Sequence, residues 1–154
     1  MNLSIWLKVG HVFSAIVWLG GGVALMILTA RMVTNASADA TVALMDQTAE
    51  FGKRLFMPAS MGTLGFGVAL VVAEPSFRFS DLWIILGLGG VAVSVILGAV
   101  FSQRTTASLR GALAEGGRDS AAAKELLRRL KLFGWADLAI LFVVAWAMIA
   151  KPSL

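Results

Sequence analysis

The chain has 154 residues, of which 58% are hydrophobic and 14% charged, with 13 Lys and Arg against 9 Asp and Glu for a formal charge of +4, and no cysteine. Soluble domains run at about 45–50% apolar and about 25% charged, so this composition belongs to a chain whose main solvent is lipid; four spans of roughly 20 residues leave no room for a separate soluble domain. Without cysteine there are no disulfides, thiolate metal sites or cysteine nucleophiles, while metal or haem held by histidine and methionine stays open.

The first apolar run, about residues 7–30, carries no charge between Lys8 and Arg31 and is long enough to span a bilayer. Ala36-Ser-Ala38 resembles a signal-peptide cleavage site, but a charged n-region is missing and the run exceeds an h-region, so the segment reads as a span. From Ser37 to Arg54 the chain turns polar yet keeps Val42, Met45, Ala49 and Lys53 on one helical stripe, which predicts a short amphipathic helix. It continues into a second span, about 55–73, where Pro58 is expected to kink the helix. Ser80 is the expected N-cap of a third span, about 82–102, in which Gly90, Ser94 and Gly98 recur every four residues as a seam for close helix approach. Residues 103–131 are the longest polar region; Gly111, Gly116 and Gly117 are expected to interrupt one amphipathic piece, and Asp119-Ser120 opens a second that runs into the last span, about 132–150. The predicted fold is all-α: one transmembrane domain over residues 1–154, an integral membrane four-helix bundle with two short amphipathic cytoplasmic connections.

Topology follows from the basic residues. Ten of the 13, from Arg31 to Lys131, fall in the two connections on one side, leaving Lys8, Arg78 and Lys151 on the other. This asymmetry predicts a multi-pass protein of the bacterial inner (cytoplasmic) membrane with both termini outside. It also explains the positive charge through lipid headgroups without calling on nucleic acid.

His11 is the single histidine, and it lies within an apolar helix, about 6 Å inside the outer boundary. An imidazole there needs a partner, which marks it either as a functional group or as a packed polar contact between helices. Ser14, Trp18 and Gly22 follow it at spacings of three, seven and eleven, a stripe that could accept a flat macrocycle with imidazole as axial ligand to iron, or equally a neighbouring helix. Glu74, at the same end of span two, is a candidate acceptor for the second ring nitrogen. Asp137 is a second intramembrane ionisable residue, about 9 Å inside the cytoplasmic end of span four. Pairing with Arg54 or Arg31 is the structural reading; a proton relay or quinone-site acid is the functional one. Met26, Met32, Met57 and Met61 raise a soft Cu(I) site, against ordinary use of methionine as apolar filling.

Taken together, Trp6-Leu-Lys8-x-x-His11, Trp18-x-Gly20-Gly21, Arg31, Arg54-x-Phe56-Met57-Pro58 and Asp81-Leu-Trp83 resemble a bacterial family of four-helix integral membrane proteins, DUF2269-like, over nearly the whole chain. The Leu-Lys-x-x-His and Trp-x-Gly-Gly portion also resembles the first helix of HemJ-type protoporphyrinogen oxidases and CopD-like copper-resistance membrane proteins. The HemJ resemblance implies that His11 ligates b-type haem. Span three has no lysine for a second axial ligand, so the second position falls to Met148 or to His11 of another chain across a symmetric interface. Two functions follow as expectations: a haem-binding redox protein, or a non-enzymatic structural or accessory subunit of a membrane complex. The small-residue seam adds the expectation of a homo-oligomer or a larger membrane complex.

Overall fold

Backbone amides in hydrocarbon have no water to bond, so apolar runs of this length satisfy them internally as helices. The computed structural model describes residues 3–35 and 37–152, without the side chains of residues 28, 31–35, 38, 53 and 99. Among the described residues six α-helices form: α1 Leu3–Asn35, α2 Ala38–Phe51, α3 Met57–Ala73, α4 Leu82–Ile96, α5 Gln103–Gly116 and α6 Ala121–Ala150. The described residues contain no strand. Widened π-helical turns, Gly52–Phe56 and Leu97–Ser102, join α2 to α3 and α4 to α5 without a break. The chain is therefore four long rods, each long and apolar enough to cross a membrane.

The first widened turn lies immediately before Pro58, where the sequence predicts a kink. Proline has no N–H for the carbonyl four residues back and its ring crowds that group, and a turn in which the N–H of Met57 reaches the carbonyl of Gly52 relieves the crowding. Ser37 and Ser120 cap α2 and α6, accepting from the N–H groups of Ala40 and Ala123 at 3.2 Å. The N-cap of α4 is Asp81 rather than Ser80; its carboxylate accepts from the Arg78 N–H at 2.9 Å, which tightens the preceding turn. Gly111 does not interrupt α5, because Leu109 and Leu113 on either side of it are buried in an apolar cluster that holds the helix together. The break comes at Gly117, whose φ of 66° favours glycine.

Rods pack antiparallel in two pairs. Along α1 and α3, Phe66 lies on Gly10, Ser14 on Gly62 and Phe56 on Gly21, so bulk from one helix meets glycine on the other. Along α4 and α6, Val144 lies on Gly90, and Ser94, 4% exposed, bonds to Asp137. The Gly90–Ser94 part of the small-residue seam thus packs within the chain, while Gly98 has open space beside it. The pairs join through α1 and α6, where Leu138 meets Gly22 and Met26 fills the space at Gly134.

At the basic end, α2, α5 and the polar start of α6 form a small platform. Leu109, Leu113, Ala123 and Leu127 are buried there beneath Val42 and Met45, as the amphipathic stripe of α2 predicts. Arg110 bonds to Asp46 across the platform, and Arg128 and Arg129 each approach Glu125 within 2.9 Å, holding its carboxyl down at about 2.

Candidate functional site

The opposite end of the bundle is hollow. A cavity of about 520 Å³ lies between α1, α3, α4 and α6, within the roughly 300–1,000 Å³ typical of small-molecule sites. Apart from His11, Thr63, Lys8 and Lys151, its lining side chains are apolar or aromatic.

His11 stands in its wall, and its orientation is fixed by two contacts with α3. Nδ1 lies 2.8 Å from the backbone carbonyl of Thr63, which can only accept, so Nδ1 carries the proton of this bond. The second nitrogen, Nε2, then keeps its lone pair in the neutral ring, the tautomer that metal-ligating histidines adopt. The same Cε1–Nδ1 edge of the ring packs on α3 at Gly67, where a Cβ would stand 3.0 Å from Cε1 and 3.1 Å from Nδ1. Thr63 is itself locked, its hydroxyl donating to the Ala59 carbonyl at 2.8 Å.

Met148 lines the same cavity from α6 and is seated in the same way, with its methyl group over Gly87 of α4. The contacts of Gly22 with Leu138 and of Met26 with Gly134 set the register of α1 against α6. Carried eleven residues outward from Gly22, that register puts His11 level with residue 149, beside Met148. Imidazole and thioether therefore face one cavity at one depth, each bedded on a glycine of a neighbouring helix.

Other residues expected near His11 divide. Trp18 lines the cavity two turns deeper. Ser14 also packs on α3, at Gly62, about 4.5 Å deeper by helical rise, and does not line the cavity. Gly22 lies about 16 Å deeper than His11 by helical rise, below the cavity, where α6 closes on α1. Glu74 caps α3 and receives a 3.4 Å bond from the Ser76 hydroxyl. It lies seven residues beyond Gly67, about 10 Å too far out to orient the imidazole, and the Thr63 carbonyl takes that role.

Asp137 receives the Ser94 hydroxyl, whereas Arg54 sits on the exposed face of the helix and pairs with Glu50 one turn away. The expected Asp137–Arg54 contact is thus replaced by a hydroxyl–carboxyl pair between α4 and α6, and the side chain of Arg31 lies outside the described residues. Met26 is buried at Gly134, while Met57 and Met61 are 60% and 65% exposed, so these three do not converge on a soft-metal site; the side chain of Met32 lies outside the described residues. Five residues that shape the site were not singled out for it in the sequence: Lys8, Thr63, Gly67, Gly87 and Lys151.

The cavity thus brings one imidazole with a committed Nδ1 proton and one thioether together between apolar walls.

No curated protein and no solved structure matches the sequence. It does match, over residues 5–152, the family described as predicted integral membrane protein (DUF2269). The chain, with four apolar rods spanning that whole match, belongs to this family of integral membrane proteins.

Proposed function

We propose that the chain is a membrane redox protein that holds one b-type haem in the cavity at the His11 end. The observation that carries this reading is the His11–Thr63 bond, which leaves Nε2 as the free donor in a cavity shared with Met148. Haem would supply one-electron transfer. The protein's part would be to hold it with the His11 imidazole of α1 and the Met148 thioether of α6, to exclude water with apolar walls, and to fix the imidazole tautomer. Placement of both donors within one chain favours an internal site over one bridged by His11 of two chains.

The basic platform belongs on the cytoplasmic side in this reading, with the cavity near the outer face and both termini outside. Reporter fusions at Asn35, Ser76 and Gly117 test the orientation, and cytoplasmic activity at Ser76 would reverse it. For the haem itself, protein purified from haem-replete cells should show a Soret band that His11→Ala abolishes and Met148→Leu alters while retaining haem. A stable, colourless wild-type protein would instead favour a structural or accessory subunit whose cavity holds lipid chains.

A further inference from the structure

Two lysines stand one helical turn outside the proposed axial pair. Lys8 precedes His11 by three residues on α1, and Lys151 follows Met148 by three at the end of α6; both line the cavity. The register that levels His11 with residue 149 also levels Lys8 with residue 152, beside Lys151. The site thus has two tiers, neutral donors within and cations at the rim. Among the described residues neither lysine has a carboxylate within ion-pair distance, although five other basic groups do.

Lys151 is held in place with some care. It is the one non-glycine among the described residues with a positive φ, 44°, in the left-handed conformation that ends α6. That conformation usually falls to glycine, and other residues adopt it at a cost. Its Nζ lies 4.7 Å from the centre of the Phe77 ring and 5.2 Å from that of Trp83, and these two rings meet edge to face at 5.0 Å. The aromatic pair, which also lines the cavity, holds the ammonium at the rim without neutralising it.

We infer that the occupant of the cavity is an amphiphile whose acidic groups lie at the Lys8–Lys151 rim while its apolar body fills the space between the helices. This rests on reading the cavity as a ligand site. An apolar chamber that ends in two uncompensated cations selects anionic oxygen at one end of its ligand and hydrocarbon at the other. Haem b, with two propionates on one edge, meets this requirement, and so does a long-chain fatty acid. Lipid phosphate is the other source of anionic oxygen at this depth, and the test separates the two.

Ferric haem b and its dimethyl ester would be titrated into the purified full chain in zwitterionic nanodiscs, together with a brominated fatty acid and its methyl ester followed by tryptophan quenching. The expected result is at least tenfold tighter binding of acid than ester, reduced to threefold or less in Lys8→Gln/Lys151→Gln and retained in Lys8→Arg/Lys151→Arg. Both lysines are exposed, so these variants should keep the fold. Equal binding of acid and ester in both pairs, unchanged by the substitutions, would assign the lysines to lipid phosphate and overturn the inference while leaving haem ligation by His11 intact. Acid preference with the fatty acid alone, and no binding of either porphyrin, would overturn the haem reading and support the inference.

Discussion

Gly67→Ala tests the seat of the imidazole, and Gly65→Ala, two residues away on α3, is its internal control. Both substitutions replace glycine within a helix, where alanine is favoured by up to about 1 kcal/mol. At Gly65 a new methyl group meets nothing within 4 Å, so that gain should appear undiminished. At Gly67 the methyl would stand 3.0 Å from Cε1 and 3.1 Å from Nδ1 of His11, forcing the ring off the helix by a few tenths of an ångström. Overpacking of this kind costs about 1–3 kcal/mol, and straining the bond to Thr63 puts up to about 1 kcal/mol more at risk. The helical gain cancels between the two variants, so their difference isolates the His11 contact: Gly67→Ala should be less stable than Gly65→Ala by about 1–4 kcal/mol. Reversible unfolding of the detergent-solubilised chain measures this, and Gly67→Ala should also weaken haem binding where Gly65→Ala does not. Equal stability and equal binding would refute the close packing of His11 on α3.

Gly90→Leu should destabilise the bundle by at least about 1–3 kcal/mol, because its side chain would enter the space of Val144, whereas Gly98→Leu should be tolerated; the same unfolding assay compares them. Ser94→Ala should cost about 1 kcal/mol by leaving the Asp137 carboxyl without its donor, and a double-mutant cycle with Asp137→Val should show a coupling of similar size. The Glu125 carboxyl is held at about 2 against an ordinary value of 4.5, so its pairing with Arg128 and Arg129 stabilises fully above pH 4.5 and is lost as pH falls toward 2. Glu125→Gln should accordingly flatten the stability profile between those pH values and leave its slope above pH 5 unchanged.

The four rods were legible in the sequence because lipid leaves an apolar run of twenty residues little choice of structure, and because charges stop each run near the membrane surface. Helical periodicity also placed Val42 and Met45 on the buried side of the basic platform. The site was legible only in part. Spacing along α1 put Trp18 on the cavity side with His11, but it could not show how deep the cavity runs, and so it drew in Gly22. The acceptor for His11 is a backbone carbonyl, which any residue at position 63 would provide, so the side-chain sequence points to Glu74 instead. Asp137 was matched to arginines by charge, although the helix opposite offered a hydroxyl at the right depth. Lys8 and Lys151 were read as topology markers; their spacing of three from His11 and from Met148 was visible, yet its meaning depends on the register of α1 against α6.

The amount of haem per chain in protein purified from haem-replete cells tests the central claim most directly, because the internal His11–Met148 site fixes the ratio. One haem per chain, falling to none in His11→Ala with the fold retained, is the result this account predicts. One haem per two chains would contradict the internal site in favour of bridging, and none in the wild-type protein would contradict haem binding itself.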